Sequence, residues 1–323
     1  LTRCDYDLKI IERMGPFLRN PFAKIAQDAR LIMMMYTNYL EIWKLATGSD
    51  EEEEEETICQ SESDEEEDEV LKAFKVKPSA TSNLKITSFP EKFLELRSQK
   101  DEMILTSAIS SNGKFIAYST ENSIRFFHFD LENGKPQLMR IKNLPEELQP
   151  CTQMAFSGDF LITINDKCSI FDLSASTIEH LQTIDLESHH LDLVHLLEAS
   201  QCGKYLAIGS LCNNISMWSL KKGKFVHLKN LPRHSCPATS LKFHKNKSVL
   251  VIAFSDNKIC EYNLEEFLID DSITFGDARK NAIAHICLDP NNPNAIIFNQ
   301  NHSIVVANKA DIEENVSKKK NRN

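Results

Sequence analysis

The chain of 323 residues is 41% hydrophobic, which is enough to build one large domain or two ordinary ones. Its nine cysteines are odd in number and lack CxxC spacing, which argues against a disulfide framework and favours a reducing compartment. The longest apolar runs, such as Val249–Phe254, fall far short of the roughly 20 residues that cross a bilayer, so we expect a soluble intracellular protein.

The net formal charge of −10 is concentrated in one segment. Residues 50–69 carry 14 of the 47 acidic groups and no basic group, and the remaining 33 acidic and 37 basic groups leave +4 elsewhere. Such a segment holds too few apolar groups to offset the entropy that ordering would cost. We therefore expect residues 50–82 to be a disordered acidic insertion or linker. A sharper interpretation is an electrostatic attraction for basic partners such as ribosomal proteins.

Before this insertion, the sequence predicts one pair of strands. An apolar run at residues 29–35 follows a polar turn, and a short turn leads to a second strand at residues 39–43. The second strand alternates apolar with polar side chains, which is the pattern of a half-buried strand. Residues 1–49 thus form a first structural unit.

After the insertion, the same unit recurs five times. Phe115, Phe160 and Tyr205 each open an apolar run, and they follow one another at steps of 45 residues. Phe115 and Tyr205 also stand in the same Gly-Lys-aromatic-aliphatic-Ala turn. The second strands of the six units are predicted at residues 39–43, 123–127, 168–171, 214–218, 258–262 and 303–306.

Units of about 40–45 residues with three or four short strands are typical of β-propeller blades, which bury their faces against one another. The sequence therefore predicts an all-β WD-repeat β-propeller with about six recognisable blades. We expect a ring of seven, with the remaining strands supplied by residues before Ala29 or by upstream sequence. The continuous apolar runs are predicted to be the inner strands, and the acidic insertion is predicted to emerge between two blades.

Residues 83–310 are assigned to the remaining blades, and residues 311–323 to a basic C-terminal tail. A β-sandwich would also space its strands closely, but it would not repeat the Gly-Lys-aromatic turn at 90 residues with a weaker copy halfway.

Several segments resemble a known family. The pairs Ile42-Trp43 and Met217-Trp218 resemble degenerate endings of WD-repeat blades, although the usual Asp and Gly-His are lost. Residues 40–45, 109–120 and 250–262, in that order, resemble the cirhin family, in its C-terminal propeller half. The resemblance covers roughly residues 20–310, and the long Glu run departs from it.

This resemblance implies a non-enzymatic scaffold of the nucleolar small-subunit processome, which matures the precursor of 18S ribosomal RNA. The implied partners are other WD-repeat and helical processome subunits and pre-ribosomal RNA, contacted directly or indirectly. No cofactor, membrane or small-molecule substrate is implied. The alternative is a WD-repeat adaptor of another complex, such as the substrate receptor of a ubiquitin ligase.

A third class, a propeller enzyme, would need acidic or histidine side chains that converge in the central channel. The sequence contains no GxxxxGK[ST], GxGxxG or GxSxG motif, so we predict that the protein is not an enzyme.

Two sets of residues are candidate regulatory or contact sites. Ser49, Ser61 and Ser63 each have an acidic residue three positions further on, which suits an acidophilic kinase. The tail residues Lys318, Lys319, Lys320 and Arg322 are candidates for nuclear import or RNA contact, with an ordinary solvated terminus as the alternative.

The histidines and cysteines give no clear ligand pattern. His189, His190, His195, Cys202 and Cys212 lack the close pairing that structural zinc prefers, so no metal is predicted. A separate set is predicted to act as small core residues: Cys168, Cys260 and Cys287.

Overall fold

The computed structural model describes residues 23–45, 47–49, 85–132, 135–173, 177–189, 192–221, 223–245, 247–266, 268–274, 282–289, 292, 294–300 and 303–308. One 3₁₀ turn lies at Gln99–Asp101. The strands are β1 (Ala23–Ala26), β2 (Leu31–Met35), β3 (Tyr39–Lys44), β4 (Thr47–Ser49), β5 (Lys85–Ser88), β6 (Glu91–Arg97), β7 (Ile104–Ile109), β8 (Phe115–Thr120), β9 (Ile124–Glu132), β10 (Lys135–Ile141), β11 (Gln153–Ser157), β12 (Phe160–Ile164), β13 (Lys167–Asp172), β14 (Glu179–Asp185), β15 (Val194–Ala199), β16 (Tyr205–Ser210), β17 (Ile215–Lys221), β18 (Lys224–Asn230), β19 (Ala238–Phe243), β20 (Val249–Phe254), β21 (Lys258–Asn263), β22 (Ile269–Thr274), β23 (Ile283–Leu288), β24 (Ala295–Gln300) and β25 (Ser303–Asn308).

All of these strands except β4 and β5 form six antiparallel sheets arranged in a ring, which we number as blades one to six. The first five have four strands each, in the orders β1-β2-β3-β6, β7-β8-β9-β10, β11-β12-β13-β14, β15-β16-β17-β18 and β19-β20-β21-β22. The sixth has β23-β24-β25. The first strands of consecutive blades contact one another from β1 to β23, so they line the central axis. The predicted all-β propeller is confirmed.

The six predicted blades are confirmed, and the seventh blade expected of the ring does not occur among the described residues. The 45-residue step itself is confirmed: Phe115, Phe160 and Tyr205 are the first residues of β8, β12 and β16. Each of these strands is the second of its blade, so the turn that precedes it recurs at the same place in the ring.

The continuous apolar runs lie inside the alternating strands and are buried, as predicted. All six residues of β20 are buried; β20 is the second strand of its blade, inside the alternating β21, and the preceding strand β19 lies nearer the axis. The physical reason is that a second strand has a strand on each side and a neighbouring blade on each face. An innermost strand borders the channel and keeps polar side chains there.

Apolar clusters join consecutive blades. Between blades two and three, the fully buried Phe126, Leu161 and Phe171 pack together with Met154. Equivalent clusters join blades one to two, three to four, four to five and five to six. Because these clusters join consecutive blades, the six blades form one packed body that supports the surface groups.

The acidic insertion belongs inside blade one rather than between two blades. β3 pairs with β6, with Leu40 opposite Leu96 and Ile42 opposite Leu94, so the fourth strand of blade one follows the insertion. β4 and β5 pair with each other between them. The spacing of the predicted strands could not show this position. It reveals one repeat period plus an insertion, but not the point within the blade where the insertion begins. Residues 50–84 lie outside the described residues.

Candidate functional site

Most of the residues predicted from sequence as regulatory or contact sites lie outside the described ranges. Ser49 ends β4, and only its backbone is described. The others outside the description are Ser61, Ser63, Lys318, Lys319, Lys320 and Arg322. Phosphorylation and nuclear import or RNA contact therefore stay predictions.

A recurring polar clamp holds the loop before an inner strand to the turn between the second and third strands of the same blade. In blade two, the Thr120 hydroxyl donates to Glu102 Oε2 over 2.7 Å. In blade five, His234 Nε2 and Asp256 Oδ2 are 2.8 Å apart. The residue types differ from blade to blade, and for that reason sequence reasoning missed the clamp.

The strand register places one residue of each inner strand at the same level of the central channel. Each of these six residues lies opposite the third residue of the second strand of its blade. We call this set the channel layer; it comprises Lys24, Ala108, Ala155, Glu198, Lys242 and Cys287. The layer thus contains two ammonium groups and one carboxylate.

The charges of the channel layer are unequally paired. Lys242 Nζ donates to both carboxylate oxygens of Glu198 at 2.8 Å, which joins blades four and five. The Lys24 side chain makes no hydrogen bond or ion pair with another described residue. Burial and, to a lesser degree, the Lys242 ammonium lower the pKa of Lys24 to about 8, whereas Glu198 opposes the change. The three groups share one level of the strand register.

His285, on the inner strand β23, adds a third basic group beside the layer. Burial lowers its pKa, and the Lys242 and Lys24 ammonium groups lower it further. The channel end that carries the β1–β2 turn is spanned by a side-chain contact, in which Gln201 Nε2 donates to Gln27 Oε1 over 2.6 Å. The arrangement can bind an anionic group, and the hydrogen bonds described for it join no nucleophile to a base.

One face of blade six is apolar and open. Ile304 and Val306 of β25 are 76% and 66% exposed. Val306 lies opposite Ile297. The other face of the same sheet packs against blade five through Ile296 and Phe298. Exposed apolar surface of this kind is typical of protein contact sites.

An aromatic and basic surface lies on blade one. Tyr36 and Tyr39 stack with ring centroids 4.3 Å apart, and the Arg97 guanidinium lies 5.8 Å from the centre of the Tyr39 ring. The sequence contained both tyrosines within one strand-and-turn unit, but only the pairing of β3 with β6 brings Arg97 beside them.

The histidines considered from sequence have separate environments. His189 stacks on His227 at 4.2 Å, and His195 Nε2 donates to the Ala238 carbonyl oxygen over 2.9 Å. His190 lies outside the described residues. Within the described part of the chain, no three His, Cys, Asp or Glu side chains are grouped so that they could hold a metal ion.

Two of the three cysteines predicted to be core residues are buried, and the third is exposed. Cys168 and Cys260 are buried, as expected of core residues, but Cys287 is exposed in the channel layer, so that prediction is wrong. Its strand is the innermost of its blade, and a residue there meets the channel instead of another strand.

Across the described ranges, no helix has both the length and the apolar character that crossing a membrane requires.

No protein-family model matches the chain. Over 302 residues, 88% of this chain, it is 23% identical to the human U3 small nucleolar RNA-associated protein 4 homolog, of which it spans 39%. The mouse homolog is 25% identical over 244 residues, which are 73% of this chain and 31% of that protein. The chain thus spans about two fifths or less of these relatives, and they support the cirhin resemblance loosely.

A shorter match and a structural match add to these. The pre-rRNA-processing protein crb3/ipi3 of Schizosaccharomyces pombe is 31% identical over 96 residues, which are 29% of this chain and 21% of that protein. A chain in a crystal structure of the mitotic checkpoint complex matches 90% of this chain and 75% of its own, with a TM-score of 0.57 and 10% identity. This likeness shows the propeller fold alone.

Proposed function

We propose that the chain is a non-enzymatic scaffold in the maturation of small-subunit pre-ribosomal RNA, equivalent to the C-terminal propeller half of a cirhin-type protein. The observation that carries the proposal is the match to the U3 small nucleolar RNA-associated protein 4 homolog, which extends over 88% of the chain. The similarity to a pre-rRNA-processing protein points to the same process. Such a scaffold acts in the nucleolus, within the small-subunit processome.

The structure suits a scaffold because its chemistry lies in surfaces rather than in a catalytic pair. Interblade cores fix the disc, and groups on its rim keep their positions when a partner binds. The open apolar face with Ile304 and Val306, and the surface with Tyr36 and Tyr39, are available for contacts. The expected partners are other WD-repeat and helical processome subunits and pre-ribosomal RNA, bound directly or indirectly.

Two regulatory features belong to the same proposal. Phosphorylation of Ser49, Ser61 and Ser63 would add negative charge to a segment that is already acidic, and so would strengthen its attraction for basic partners. The basic residues of the tail would support nuclear import.

The proposal is tested by purifying the tagged full-length protein from cells, with the tag alone as control, and analysing the eluate by mass spectrometry and RNA sequencing. We expect processome subunits together with small-subunit precursor RNA. Recovery of ubiquitin-ligase subunits without assembly factors would contradict the proposal and favour the adaptor. A parallel sample treated with ribonuclease shows which protein partners depend on RNA.

A further inference from the structure

We propose that the central channel binds a carboxylate side chain of an acidic peptide, at a site formed by Lys24, Lys242, Glu198 and His285. We call these four residues the channel site. All four lie on inner strands, namely β1, β15, β19 and β23, and three of them share the level of the channel layer. The proposal is independent of the process in which the scaffold takes part.

The first argument is the imbalance of charge. Lys242 is paired with Glu198 through two hydrogen bonds of 2.8 Å, and Lys24 is left without an anionic partner among the described residues. An ammonium group that is partly buried beside a second ammonium is costly unless an anion joins it. The lowered pKa of Lys24 reflects this cost. A second carboxylate would give each ammonium group a partner.

The second argument is the chemistry of the neighbouring side chains. At the level of Lys24, Glu198 and Lys242, blades two and three contribute only Ala108 and Ala155. Neither side chain carries a charge or a hydrogen-bonding group, so Glu198 is the one carboxylate that the channel layer offers to the two ammonium groups.

The third argument concerns the class of ligand. Two ammonium groups and one carboxylate leave one positive charge, which matches a single carboxylate better than a doubly charged phosphate. RNA needs a row of basic groups along its backbone, and the site offers only a local cluster.

The acidic peptide has two candidate sources with the same chemistry. One is a partner protein, and the other is the Glu-rich stretch of this chain at residues 50–69. β3 ends beside the β1–β2 turn, where the Leu45 amide donates to the Arg30 carbonyl oxygen over 3.0 Å. The chain therefore leaves blade one at the same end of the disc as the Gln27 contact.

The test uses a fluorescent peptide with the sequence of residues 50–69 and measures its binding to the full chain by anisotropy at low ionic strength. We expect Lys24→Met to weaken binding by about fivefold, the effect of one charge pair. Lys224→Met, which removes an equal charge from an exposed site on β18, is expected to leave binding unchanged. Equal affinities of the Lys24 and Lys224 variants would overturn the proposal.

A second variant guards against loss of binding through misfolding. Glu198→Gln removes the carboxylate that occupies Lys242, so we expect the peptide to bind about threefold or more tightly. Unchanged or weaker binding by this variant would contradict the proposal.

Two further arms identify the ligand. The first arm measures the affinity for single-stranded RNA. If Lys24→Met lowers this affinity as strongly as it lowers the affinity for the peptide, the site binds phosphate and the acidic-peptide assignment is overturned. Deletion of residues 50–69 separates the sources: a rise in peptide affinity supports occupancy by the chain's own segment, and no change supports an acidic segment of a partner.

Discussion

Gln182, on the outer strand β14, forms two hydrogen bonds with the backbone of Phe225 on β18 of the next blade. Its side-chain Nε2 donates to the Phe225 carbonyl oxygen over 2.9 Å, and its Oε1 accepts from the Phe225 amide over 2.8 Å. The side chain thus acts as one more rung of a sheet between blades three and four. It gives hydrogen-bond partners to the Phe225 amide and carbonyl groups at the rim, which apolar side chains could not do.

Replacing this side chain should loosen the rim. Gln182→Ala leaves two backbone groups of Phe225 without their partner, so we expect the free energy of unfolding to fall by about 1–3 kcal/mol. Gln149→Ala, at an exposed position, should change it by less than about 0.5 kcal/mol. Urea unfolding measures both variants. Equal stabilities would show that the contact between Gln182 and Phe225 contributes nothing.

The core between blades two and three should respond more strongly. Phe126 is fully buried and contacts Phe115 and Phe156, with ring centroids 5.7 and 6.0 Å apart. Phe126→Ala would leave a cavity, and we expect it to lower the free energy of unfolding by about 3–5 kcal/mol. Phe89→Ala, at a side chain that is 84% exposed, is the matched control and should have little effect. A loss of stability as large in the control would contradict the described core.

Sequence periodicity predicted the blades because each blade repeats the same burial requirement. Phe115, Phe160 and Tyr205 recur at a fixed spacing, since each opens a strand that is buried by its neighbours. The channel site could not be found in this way. Lys24 and Lys242 are far apart in the chain, and nothing in their local sequences differs from that of a solvated strand residue. Only the register of the inner strands places them at one level.

The polar clamps escaped prediction for a different reason. Glu102 and His234 perform the same role with different chemical groups, because each needs only a partner of complementary hydrogen-bonding capacity. A search for one conserved type of side chain therefore misses them. The placement of β6 after the insertion had no signal either, because its alternating pattern fits any blade.

Thiol reactivity gives a direct check of burial. Burial raises the pKa of Cys168 to about 12, and the same cause raises that of Cys151 to about 12, so neither forms the reactive thiolate near neutral pH. Cys287 and Cys202 are exposed. We expect iodoacetamide to modify the exposed pair in the folded protein and the buried pair only after unfolding, as read by peptide mass spectrometry. Rapid labelling of Cys168 in the folded state would contradict the packing of blade three.

The last prediction concerns pH. The pKa of Lys24 is lowered to about 8 in the folded chain, from 10.5 in the absence of burial. Between these two values the unfolded chain keeps the Lys24 proton and the folded chain loses it, so the unfolded state binds more protons and stability rises with pH. Below about pH 8 both states are protonated, and the folded state carries the full cost of the buried charge.

Lys24→Met removes that cost at every pH. We therefore expect the variant to be more stable than the original chain at pH 7, with an advantage that shrinks as the pH rises from 8 to 10.5. Lys224→Met, at an exposed position, should show a difference that does not vary over the same range. Urea unfolding at pH 7 and at pH values up to 10.5 measures both. A Lys24 variant whose advantage is the same throughout would mean that the ammonium group is solvated in the folded chain, and the charge imbalance on which the channel site rests would disappear.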